Sequence, residues 1–135
     1  MMNCLSRNFV LLLGLSVLFS CNREETSEYI TEIAQLKVDS ILVPQDTIAI
    51  HSTQMLRTYF TLQQGCEGLY NIDYQSENEL IRNITPYKYK TNIACGSAAA
   101  GHSDISFTPK ESGTYTLKFY SGENTWITKN IVVVD

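Results

Sequence analysis

The sequence predicts an all-β protein, a single antiparallel β-sandwich of about seven strands. Three observations carry this. Apolar and polar residues alternate with period two in segment after segment. Short polar breaks separate those segments, and no long stretch shows the apolar spacing of a helix. Antiparallel sandwiches with one wet face per sheet leave this pattern, whereas a doubly wound fold needs strands alternating with helices. No internal repeat is evident. The chain has 135 residues, enough for one compact domain behind an N-terminal leader and too few for two.

The elements follow in chain order. Between Tyr29 and Asp39 two patterns compete. Tyr29, Ile30, Ile33, Ala34 and Lys37 share a helical face, while Ala34, Leu36 and Val38 alternate with Gln35, Lys37 and Asp39 as in a strand. The β-like character of everything downstream favours a strand from about Ala34. Residues 47–52 then place Ile48 and Ile50 on one face, with His51 in the same strand-like stretch. Thr58, Phe60 and Leu62 alternate with Tyr59 and Thr61, and Tyr70, Ile72 and Tyr74 with Asn71 and Asp73. Tyr87 and Tyr89 alternate with Lys88 and Lys90, and Ile105 and Phe107 with Ser106 and Thr108. Tyr115, Leu117 and Phe119 oppose Thr116 and Lys118, and residues 127–134 are rich in β-branched side chains.

The N-terminus has a different character. Arg7 precedes an apolar run from Phe9 to Phe19, which ends in Leu18-Phe19-Ser20-Cys21. A charged start and about ten apolar residues suit a secretory signal and are too short to span a bilayer comfortably. The segment resembles a bacterial lipoprotein signal peptide of the Bacteroidota type, with Leu18 to Cys21 resembling its lipobox. The resemblance implies cleavage before Cys21, lipid on the Cys21 thiol and anchoring in the outer membrane, where acyl chains alone suffice for attachment. Residues 1–20 are then signal peptide, 21–32 a polar tether and 33–135 the sandwich domain. Arg23-Glu24-Glu25 in the tether resembles the export signal that sends some of these lipoproteins to the outer face, and the periplasmic face remains the alternative.

Loss of the leader simplifies the cysteines and the charge. Of the four cysteines, Cys4 leaves with the signal and Cys21 carries lipid, so Cys66 and Cys95 remain. Two thiols in an oxidising envelope read most simply as one disulfide, since they lack Cys-x-x-Cys spacing and have no neighbouring metal ligands. Removing Arg7 leaves nine basic residues against 14 acidic ones, net −5. No basic patch appears, which argues against nucleic acid as a partner.

One segment narrows the fold. In residues 105–117 a strand ends, the chain turns through Glu111-Ser112-Gly113, and Tyr115 opens the next strand. This resembles the tyrosine corner of an immunoglobulin-like domain. The resemblance implies a Greek-key sandwich in which the tyrosine hydroxyl bonds back to the corner backbone. Leu117 stands where antibody domains carry a cysteine, so Cys66–Cys95 would be a different staple.

No residue set points to catalysis. His102-Ser103-Asp104 contains triad residue types, but adjacent residues cannot converge as nucleophile, base and orienter. No Gly-x-Ser-x-Gly element is present, His51 and His102 lie far apart, and no Asp-rich calcium loop is visible. Neither a metal nor another cofactor is implied. Asp39-Ser40-Ile41 and Asp46-Thr47-Ile48 resemble the O-glycosylation acceptor of Bacteroidota envelope proteins, with Ser40 and Thr47 as acceptors. Asn83-Ile84-Thr85 is a sequon by coincidence in a bacterial setting. Gly96 to Gly101, free of bulky side chains, reads as a mobile loop beside the disulfide and a default contact region. Trp126 and the tyrosines offer an aromatic platform, although most of these rings are expected to line the core or cover strand faces. The expectation is therefore a non-catalytic, lipid-anchored binding module contacting an envelope protein, a surface glycan or a host protein, with sheet edges as further contact surfaces. The alternatives are a glycan-binding accessory of an uptake system and an inhibitor of a secreted enzyme.

Overall fold

The computed structural model describes residues 27–135, so Cys21 and Arg23-Glu24-Glu25 lie outside the described residues. Nine strands appear in them: β1 (Ile30–Gln35), β2 (Ser40–Leu42), β3 (Thr47–Ala49), β4 (Gln54–Leu62), β5 (Glu67–Ser76), β6 (Ile81–Thr91), β7 (Ala99–Phe107), β8 (Gly113–Gly122) and β9 (Thr125–Val134). They form two sheets. The larger runs β1-β6-β8-β9-β3 with β5 also on β6, and the smaller runs β2-β4-β7.

Period-two alternation decides which side chains meet between the sheets. Leu56, Thr58 and Phe60 of β4 and Ile105 and Phe107 of β7 face Tyr115, Leu117 and Phe119 of β8 and Ile131 and Val133 of β9, all of them buried. Each fully buried Leu, Ile or Phe contributes about 1.5–3 kcal/mol relative to exposure. The turn from β8 to β9 has two residues, Glu123 and Asn124, at φ 50° and 60°. Positive φ at both positions matches the right-handed twist of the paired strands.

The N-terminal part moves between the sheets. The expected strand from Ala34 to Asp39 is paired only through Gln35, because the chain leaves the larger sheet there. The Leu36 N–H donates to Pro86 O and the Val38 N–H to Tyr120 O, while the Asp39 N–H donates to Tyr59 O in the smaller sheet. Leu36 and Val38 are buried by this crossing. Pairing starts at Ile30, so β1 takes in residues 30–32, assigned above to the tether.

Two further expectations change. The strands are not all antiparallel: β6 pairs β8, and β3 pairs β9, in parallel. Between β6 and β8 the chain passes through β7 in the other sheet, so β8 returns in the direction of β6. His51 lies in a turn at φ 62° and not in a strand. Among the aromatic rings, Phe60, Phe107, Tyr115 and Phe119 lie in the core, while Tyr59, Tyr70, Tyr74 and Trp126 are exposed on strand faces. Cross-strand packing on wet faces holds tyrosine as readily as a core does.

Candidate functional site

The two sheets differ in width, and a cleft follows from the mismatch. Among the described residues β7 of the smaller sheet pairs with β4 alone, whereas the larger sheet continues through β6 to β5. The inner face of β5 and β6 therefore extends past the β7 edge. Between them lies a cleft of about 580 Å³, walled by Ile72, Tyr74, Ser76 and Arg82 on one side. Asp104, Ile105, Ser106, Thr108 and Lys110 form the other wall. The volume falls in the range of small-ligand sites.

Alternation explains the polar groups. Arg82 shares the inward face with Ile84, because Arg82 pairs Leu117 and Ile84 pairs Phe119. Its Nη1 donates to Asn78 O at 2.6 Å and Ile81 O at 3.0 Å, and its guanidinium lies 5.2 Å above the Tyr115 ring. No carboxylate pairs with Arg82 or Lys110 among the described residues. The cleft carboxylate, Asp104, is already engaged: Arg57 Nε and Nη2 reach its two oxygens at 2.6 and 2.8 Å. That fork holds the Asp104 carboxyl below the usual aspartate range and the Arg57 guanidinium above its own. Burial pushes the Tyr74 phenol up, with Arg82 acting the other way, so Tyr74 remains a neutral hydroxyl near pH 7. The cleft is thus cationic in a chain of net charge −4.

The β7 backbone adds a second kind of contact. The Asp39 N–H donates to Tyr59 O, which turns the Tyr59 peptide groups toward β2. Alternation then turns those of Leu56 and Thr58 toward Ile105 and Ser103, their partners in register. His102, Asp104 and Ser106 consequently direct their N–H and C=O groups away from β4, and the last two do so along the cleft.

The residues expected from sequence to act do not converge on this cleft. Cys66 and Cys95 are bonded and tie the start of β5 to the segment after β6. Gly96 packs there for a backbone reason: Gly65 N–H donates to Gly96 O at 3.1 Å. A Cβ on Gly65 would fall 2.8 Å from Gly96 Cα. Gly101 is not in a mobile loop. β7 already begins at Ala99, and Gly101 pairs Phe60, whose ring occupies the space a Cβ would need. At the corner, Tyr115 Oη accepts the Glu111 N–H at 3.3 Å, and Gly113 takes φ 138°. Ser40 and Thr47 are exposed first residues of β2 and β3. Trp126 pairs Tyr120 across the β8–β9 hairpin, with ring centroids 5.9 Å apart at 76°, on the outer face of the larger sheet. His102 lies beside Tyr59 and Asp104 is paired with Arg57, while Ser103 takes the opposite face of β7, beside Thr58. No group of three or more His, Cys, Asp and Glu is placed to hold a metal among the described residues.

Sequence reasoning passed over Arg82, Ser106 and Lys110. A usable signal existed for Arg82, a charged residue in phase with Ile84 on an inward face. Lys110 had none, since its place depends on how far the larger sheet overhangs the smaller.

Comparison with protein-family models, curated proteins and solved structures finds no match for this chain. The residues must carry the functional reading themselves.

Proposed function

We propose that this chain is a non-catalytic binding module, held at the bacterial outer membrane by lipid on Cys21, with the cleft between β7 and β5–β6 as its contact site. The observation that carries the binding reading is a preformed cleft with two cations, Arg82 and Lys110, that no carboxylate neutralises among the described residues. Desolvating such charges is unfavourable unless a ligand supplies the counter-charge, so the cleft selects for anionic groups. The anchor reading rests on Leu18-Phe19-Ser20-Cys21. An immunoglobulin-like description draws support from the Tyr115 corner, while the parallel β6–β8 pair counts against it.

Two measurements test this reading. Radiolabelled palmitate should enter the wild-type chain and the membrane fraction but not Cys21→Ala, and equal labelling of both would end the anchor proposal. A photo-crosslinking side chain at Ser106 should capture a partner in intact cells, while one at Thr116 on the opposite face of the larger sheet should not. Equal capture at both positions would remove the cleft as the contact site.

A second reading has one specific observation behind it. Trp126 is 42 % exposed and braced edge-to-face by Tyr120, an arrangement that suits stacking on a sugar ring. Quenching and a blue shift of Trp126 fluorescence by envelope oligosaccharides would favour that surface over the cleft.

A further inference from the structure

We infer that the cleft receives an extended acidic peptide, which adds as a strand to the free edge of β7 and sets carboxylates against Arg82 and Lys110. This deepens the proposed contact site and rests on it.

The edge itself is the first argument. Proteins protect sheet edges with short strands, bulges, proline or lysine. β2 and β3 have three residues each, and the pairings of β1 and β5 both carry register shifts. β7 has none of these defences: nine residues in unbroken register with β4, without proline or lysine. Its one charge, Asp104, is neutralised by Arg57. An unprotected edge at the mouth of a cleft is the geometry of strand addition, in which main-chain bonds hold the peptide and alternate side chains enter pockets.

Charge selects the occupant. A peptide strand beside Asp104 to Thr108 would direct every second side chain inward, towards Ile72, Tyr74 and Arg82. The cations there call for carboxylates. Arg82 is the stronger selector, since its Nη1 is held by two backbone carbonyls and its guanidinium is braced on Tyr115.

The first described residues lie away from this place. Ser27 O accepts a bond from Asn92 Nδ2, beyond the far end of β6 from Arg82. Ten residues of strand separate Asn92 from Arg82, about 33 Å. The occupant is a separate chain.

The test uses a fluorescein-labelled, capped heptapeptide, Thr-Glu-Val-Glu-Val-Glu-Thr, titrated against the disulfide-intact protein by anisotropy, with amide NMR to register weak binding. We expect saturable binding with shifts confined to β7 and the β5–β6 inner face. Lys110→Gln should weaken it about fivefold and Arg82→Gln more than that. N-methylation of alternate peptide nitrogens should abolish it, because the ladder bonds then cannot form. Ser106→Pro should weaken it comparably, since it removes an outward N–H from an edge strand that tolerates proline. If Arg82→Gln or Ser106→Pro unfolds the protein, Lys110→Gln and the methylated peptide still decide the matter. Equal binding of a lysine-for-glutamate peptide or of the N-methylated peptide overturns the proposal, as does binding of oligogalacturonate without the peptide. Crosslinking at Ser106 in cells together with no peptide binding sinks strand addition and leaves the cleft as contact site.

Discussion

Cys66 and Cys95 lie 29 residues apart and enclose β5 and β6, which form one whole wall of the cleft. Opening that bond is therefore a test of both stability and site. On the chain-entropy model a loop of this length constrains the unfolded state by about 3.6 kcal/mol. The unfolding entropy of residues 27–135 comes to roughly 0.23 kcal/mol/K. Their quotient predicts a fall in melting temperature of about 16 °C. The assay is thermal unfolding by circular dichroism and calorimetry, comparing the oxidised protein, the protein in reductant and the Cys66→Ala, Cys95→Ala double variant. Reduction and substitution should agree closely, with the double variant somewhat lower because it also removes the buried Cys66 sulfur. Hydrogen exchange should accelerate most in β5, which pairs with β6 alone among the described residues, and less in β6, which also pairs β1 and β8. A melting temperature lowered by less than about 4 °C would refute the reasoning, since the loop would then add little entropy to the unfolded chain.

Other substitutions probe the corner, the core and the acid limit. Tyr115→Phe keeps the edge-to-face contact with Phe107 but loses the acceptor for the Glu111 N–H, so urea unfolding should report a loss of about 1 kcal/mol. No change would mean that water satisfies that N–H equally well. Gly101→Ala forces a Cβ into the buried Phe60 ring and should cost about 1–3 kcal/mol. Phe60→Leu in the same chain should recover part of it, and an additive double variant would contradict the steric explanation. Burial works to raise the Glu67 carboxyl, but the Lys88 ammonium at 2.7 Å and the Gln63 and Gln64 amides outweigh it and hold it below the usual range. A depressed folded value means stability present above the unfolded carboxylate range and lost as pH falls through the folded value. Glu67→Gln should therefore flatten the decline of stability below about pH 4.5. An unchanged acid limb would exclude Glu67 as a contributor.

Much of the fold was legible because strand side chains repeat every two residues regardless of what lies opposite. Thr58, Phe60, Ile105, Phe107, Leu117 and Phe119 declare an inward face by their spacing alone, and all of them are buried. The Cys66–Cys95 pairing was legible by elimination and the Glu111 to Tyr115 corner by its local chemistry, since both depend on residue types more than on distant partners. The strand ends were less so. Leu36 and Val38 alternate like a strand, but they serve a crossing between sheets, and alternation cannot tell pairing from passage.

What only the tertiary structure decided is how strands far apart in sequence lie side by side. Period two specifies which face a residue takes but not which strand is its neighbour. The parallel β6–β8 pair, the solitary edge of β7 and the overhang of β5 past it are all matters of neighbours. The cleft exists because six strands oppose three, and Arg82, Ser106 and Lys110 became a candidate site only once that mismatch had brought them together.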